Sequence, residues 1–268
     1  MSNERREIPF ARLGARRGIH WLKDAYAMLS LARLPWLVLL LFYYLLLGLV
    51  DFIPFLGQIA APILKPVFAV GFLAAAWSQE RGGTPRLKQL FEGFRSNLWA
   101  LLPLGVVLLV GITVAVLGTS LVDGGRLLDA LAGKAKLDEA LLGDDQVEAA
   151  MLFAVFCAVP VMLALWFAPA LVVFQDCSAL QALGTSLRAA LANWKPIGVY
   201  GLLVFFFGGV LPGVVTALIA LVAPESFAFT IALVVLMPYL SLFIATLHIS
   251  DYVSYRDVFH AGEERGKT

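Results

Sequence analysis

The sequence predicts an all-α polytopic membrane protein with six transmembrane helices and three short amphipathic helices on one side of the bilayer. Three observations predict it. Of 268 residues, 60% are hydrophobic and 15% charged, with a mean hydropathy of +0.85; a soluble domain runs near half apolar and a quarter charged. Six apolar runs are each long enough, as helices, to cross a hydrocarbon core of roughly 30 Å. Between them lie short stretches whose apolar residues recur at three and four, the spacing of one helical face.

Taken in order, residues 1–14 read as a flexible polar N-terminus. Ile19, Leu22, Tyr26 and Leu29 mark a first amphipathic helix, with Arg16, Arg17, Lys23 and Asp24 among its polar groups. Span 34–50 follows, then a turn punctuated by Pro54 and Gly57. Span 59–77 contains Pro62 and Pro66 and should be bent or broken there. After Gly82-Gly83, Thr84 is a natural N-cap and Pro85 a natural first helical residue for a second amphipathic helix carrying Leu87, Leu90, Phe91 and Phe94. Span 98–122 leads to a charged loop, 123–148, and span 149–174 contains Pro160 and Pro169.

Ser178 and Gln181 have capping-box spacing and open a third amphipathic helix with Leu180, Leu183, Leu187, Leu191 and Trp194 on one face. Such helices should lie in the interface plane with their apolar faces toward the acyl chains. Spans 197–222 and 227–249 and a Tyr-rich tail complete the chain, with 257–268 read as a flexible C-terminus. Gly209 and Gly213 have the GxxxG spacing of helix packing, within the bundle or between two copies of the chain.

Charge sets the orientation. The N-terminus, 78–97, 175–195 and the C-terminus carry 16 of the 20 Lys and Arg residues; the opposite side carries Lys65, Arg126, Lys134 and Lys136. The side rich in Lys and Arg is cytoplasmic, so both termini are expected in the cytoplasm and 123–148 in the periplasm. The chain is one integral membrane domain, and 15–77, 84–174 and 178–256 read as three units of one interfacial helix plus two spans. Each unit carries a tryptophan where its first span begins (Trp36, Trp99, Trp194), and these, with Tyr252, Tyr255 and Arg256, are expected as interfacial anchors.

The stretches PFLGQIAAPILKPVFAVGFLAAAWSQERGGTPRLKQLFEGFR and FAPALVVFQDCSALQALGTSLRAALANWKPIGVYG, with the tail YVSYRDVF, resemble a family of uncharacterised proteobacterial six-span inner-membrane proteins over nearly the whole chain. Through the FAP…S-x-x-A-L…S…NW pattern the chain is more distantly similar to YciC-type proteins and to the membrane domain of some glycerophosphodiester phosphodiesterases. The resemblance implies a location in the bacterial inner membrane and an architecture. It implies no activity, and no catalytic barrel is present.

Few residues invite chemistry. Lys65 is an ionisable group inside a span, costing about 2.5–3.5 kcal/mol at mid-membrane on insertion scales. It either contacts a solute or lipid, or snorkels toward the outer interface with Asp51 as its partner. His248 and Asp251, three apart, could share a proton, but two groups do not make a metal site. Cys157 and Cys177 read as ordinary thiols. The sequence lacks HExxH, GxSxG, Walker and dinucleotide motifs, and the net charge of +1 gives no nucleic-acid footprint. No cofactor is implied. These observations point to a non-catalytic membrane component whose partners are membrane lipids, with other inner-membrane or cytoplasmic proteins as further candidates. The alternative is a carrier or channel for a small or amphiphilic solute.

Overall fold

A computed structural model describes residues 8–53, 56–136 and 138–260. Every regular element among them is helical. In chain order these are α1 (Arg17–Leu31), α2 (Arg33–Asp51), α3 (Leu56–Glu80), a 3-10 turn (Leu87–Phe91) running into α4 (Glu92–Arg95), α5 (Leu98–Asp123), α6 (Arg126–Leu131) and α7 (Glu139–Leu142). They continue as α8 (Asp145–Trp166), α9 (Ala168–Phe174), α10 (Ala179–Ala192), α11 (Trp194–Phe205), a π-helical turn (Phe206–Val210), α12 (Leu211–Val222) and α13 (Glu225–Phe259). Six helical stretches are long and apolar enough to cross a membrane: α2, α3, α5, α8–α9, α11–α12 and α13. The protein is an all-α polytopic membrane protein, as its composition predicts.

The prolines act differently from one another. Helix α3 runs unbroken through Pro62 and Pro66, which excludes the break among the two expected outcomes. Pro169 does accompany one: the helix stops at Trp166 and restarts at Ala168. There the Ser186 hydroxyl of α10 accepts from Phe167 N–H (2.9 Å) and donates to Leu163 C=O (3.0 Å). A hydroxyl inserted between the donor and acceptor of one helical turn keeps both satisfied where no water reaches. Before Pro212 the chain widens into the π-turn, and Tyr239 Oη donates to Phe207 C=O (2.6 Å).

The short helices pack on hairpins other than the ones they lead into. Helix α1 lies against α11 and α13, the 3-10 turn with α4 against α2 and α3, and α10 against α5, α8 and α9. Each buries one face and leaves apolar groups on the other. Gly18, Trp21 and Ala25 of α1 and Ala182, Ser186 and Ala189 of α10 face the protein. Leu180 (80% exposed), Leu191, Ile19 and Tyr26 are left outward. The second short helix is shorter than expected: Thr84 and Pro85 precede it, and the Arg86 N–H donates to the Gln89 side chain (2.7 Å).

Both ends are more ordered than their polarity suggests. Residues 8–14 form an extended strap: Ala11 N–H donates to Val258 C=O (2.7 Å), and Asn193 brackets it by accepting from Leu13 N–H (2.8 Å) and donating to Ala11 C=O (2.9 Å). The expected flexibility there is overturned by these bonds; residues 1–7 and 261–268 lie outside the described residues. At the other end, residues 250–259 continue α13 as helix, with Tyr252, Val253, Tyr255 and Val258 buried.

Segment 123–148 is likewise built. Asp123 accepts from Gly125 and Leu127 N–H (2.8 and 2.7 Å), and Arg126 makes a two-pronged bond to Asp144 (2.8 and 3.0 Å), which also caps α8. The Arg126 guanidinium, and then the backbone N–H groups of α8, hold the Asp144 carboxyl below its usual range. A lowered carboxylate pKa stabilises the fold above the ordinary value near 4 and ceases to do so as pH falls through the lowered one. The small melting-temperature difference between the native protein and Arg126→Gln should therefore persist at neutral pH and close in that acid range.

Candidate functional site

A half-open cavity of about 510 Å³ lies between the spans, bounded by α2, α3, α5, α8, α9, α11 and α13. Its wall is mostly apolar, including Ala69, Leu73, Leu108, Val204 and Leu247. A few polar groups interrupt it: Lys65 on α3, Tyr43 on α2, Tyr200 on α11, and His248 with Asp251 on α13. The His248 ring stacks on Phe72, centroids 3.9 Å apart and planes within 7°, and meets Tyr43 edge-on at 6.0 Å. Its Nδ1 is 3.9 Å from Asp251 Oδ2, and no cluster of three metal-ligating side chains occurs among the described residues. Tyr200 Oη is 2.6 Å from Ser250 Oγ, which ties α11 to α13. Trp166, also on the wall, keeps a buried indole N–H without an acceptor among the described residues.

A second polar cluster lies at the Lys- and Arg-rich end of the bundle and joins α1, α3 and α13. Glu80 bonds to both Tyr252 and Arg256. Asp257 accepts from Arg17 Nε (2.5 Å), Trp21 Nε1 (3.0 Å) and Arg256 Nη2 (3.2 Å). Its carboxylate bond holds the Arg17 proton still more firmly than usual, against the cost of burial.

The chain is 31% identical over 261 residues to a probable inner membrane protein of Burkholderia thailandensis, and the match covers 94% of each. The chain belongs to this inner-membrane protein family. No protein-family model matches it, and no solved structure does. The comparison does not bear on the more distant likeness to YciC-type proteins and phosphodiesterase membrane domains.

In this inner-membrane protein the predicted site residues have separated. Lys65 is on the cavity wall, whereas Asp51 ends α2 away from it, and no ion pair joins the two among the described residues. Trp99 and Trp194 are exposed, 84% and 65%. Trp36 is not: it is fully buried and donates to Gln79 Oε1 (2.6 Å), whose amide in turn reaches Met28 C=O (2.6 Å). Tyr252, Tyr255 and Arg256 depart from the anchor expectation for the same reason. They turn inward on α13, where Tyr255 stacks on Phe174 (5.4 Å) and accepts from Gln175 Nε2 (3.3 Å). The sequence reading missed Glu80, Asp257, Arg17 and Trp21 as partners. One signal was present: Thr246, Ser250 and Ser254 recur every four residues and are all buried, a small-residue seam that marks close helix packing. Gly213 takes no part in packing within the bundle, since nothing lies within 4 Å of a side chain added there; Gly208 instead packs on Phe243.

Proposed function

We propose that this inner-membrane protein is a non-catalytic component that holds and organises phospholipid at the cytoplasmic face through three interfacial helices. One observation carries the reading: α1 and α10 bury one face in the bundle and turn Ile19, Tyr26, Leu180 and Leu191 outward, with Trp99 and Trp194 exposed at the starts of their spans. Apolar groups at that level are covered by acyl chains, and tryptophan favours the headgroup zone. In this reading, supported by the Lys and Arg bias, both termini lie in the cytoplasm. The three helices then act as equivalent members of a ring of three helix-plus-hairpin units, each helix seated on a neighbouring hairpin. Further inner-membrane or cytoplasmic proteins would meet the same face.

The test is lipid retention. Native mass spectrometry of the protein released from membranes should show bound phospholipid, and the double variant Leu180→Glu/Leu191→Glu should retain markedly less at unchanged abundance. An unchanged lipid complement in that variant would refute the reading, as would a C-terminal reporter active only in the periplasm.

A further inference from the structure

We propose that the cavity between the spans is a binding site for a small anionic amphiphile, a medium-chain carboxylate in class, with its charged group at Lys65 and its apolar chain lying toward Phe72. The volume of about 510 Å³ is that of a small-molecule site, and the wall has the usual make-up of one, apolar with a few convergent polar groups. Lys65 is the only Lys or Arg on that wall and has no hydrogen-bonded or ion-paired side-chain partner among the described residues. An ammonium held in a span without a counter-charge is unfavourable, and a ligand carboxylate supplies one.

Position fixes the orientation of the ligand. Lys65 and Phe72 are seven residues apart on the continuous helix α3, about 10 Å along its axis. His248 stacks on Phe72 and Asp251 follows it on α13, so the acidic group of the wall lies toward the end away from Lys65. A carboxylate is favoured beside Lys65 and disfavoured beside Asp251, and the stretch between is lined by Ala69 and Leu73. Entry is lateral: α11–α12 and α13 pack on one another and on α1, α2 and α3, whereas α8 meets α11 at its end, where Trp166 lies edge-on to Tyr200 (5.4 Å), and no broad seam joins α8 to α12 among the described residues. An amphiphile in the bilayer can reach the wall through that side. Gly201 is on the wall, and nothing lies within 4 Å of a Cβ added there, so a larger side chain starts without a backbone clash.

The inference is independent of lipid retention by the interfacial helices, which the Leu180/Leu191 variant reads separately. Its test is equilibrium dialysis of the protein in phosphatidylcholine nanodiscs against labelled dodecanoate, with empty nanodiscs as blank and dodecylamine as the cationic counterpart. Saturable dodecanoate binding above the blank and tighter than dodecylamine is expected. Lys65→Met should weaken it at least tenfold and remove the preference for the anion, Lys65→Arg should keep both, and Gly201→Phe should abolish saturable binding. Binding no greater than the blank, equal binding of the two probes, or indifference to Gly201→Phe would each overturn the proposal. Thermal unfolding of each variant confirms that it is folded before binding is read.

Discussion

Replacing Asp257 by leucine is expected to destabilise the protein by roughly 3–5 kcal/mol, lowering its melting temperature by on the order of 10 °C. The carboxylate is nearly inaccessible and accepts from three donors: Arg17, Trp21 and Arg256. Two belong to α1 and the third to its own helix, so this one group fastens α1 to α13. Leucine fits the volume but leaves the buried Trp21 N–H without its acceptor and takes the nearest carboxylate from Arg17, while Arg256 keeps Glu80; removing one member of a largely buried cluster is costly. Asp257→Asn keeps an acceptor oxygen and loses only the charge, so its penalty should be clearly smaller. Scanning fluorimetry of detergent-solubilised protein separates the cases. Equal and slight effects of both substitutions would mean that α1 is held by its apolar contacts alone.

The clasp also marks where sequence reading stops. Hydropathy and punctuation located all six spans, because a membrane span is a local property: each residue needs only to be apolar, whatever its neighbours in space. The third amphipathic helix was equally legible, and Ser178 does accept from Gln181 N–H at 3.4 Å. What was illegible depends on partners far away in sequence. Tyr252, Arg256 and Asp257 look like a polar exit from the membrane until Glu80 and Arg17 are placed beside them. Trp36 has the same local surroundings as Trp99 and Trp194, yet its indole N–H meets Gln79 inside the protein. The strap at residues 8–14 follows a polar, Arg-bearing stretch of sequence, but Asn193 and Val258 supply its backbone partners and Ile8, Phe10 and Leu13 pack against the core. The cavity lies beyond any local pattern, since its wall draws on every span; only Lys65 signalled it, by being charged where charge is costly.

Gly93→Ala and Gly18→Ala should each destabilise the protein, whereas Gly184→Ala should leave it unchanged or slightly more stable. An added Cβ at Gly93 would fall 2.0 Å from Val67 C=O, and at Gly18 2.2 Å from Pro196 C=O. Backbone oxygens cannot rotate away as a side chain can, so α4 must lift from α3, and α1 from α11. Forced overpacking of this kind costs about 1–3 kcal/mol, occasionally more. At Gly184, on α10, nothing lies within 4 Å of the new methyl group; there the intrinsic helix preference of alanine over glycine, up to ~1 kcal/mol, acts unopposed. The contrast isolates close backbone approach from helix propensity, because the substitution is the same at all three sites. Protease accessibility of the 3-10 turn and α4 in Gly93→Ala gives a second reading, since a lifted helix exposes Leu90, which is fully buried in the native protein. If all three variants melted alike, close seating could not be what holds the short helices on neighbouring hairpins. Helix α10 reaches the same end without a glycine contact: Ala182 and Ala189 present the small surface, and Ser186 enters the break before α9. A small residue wherever a short helix crosses another hairpin is therefore the common requirement, and glycine is needed only where the crossing brings backbone onto backbone.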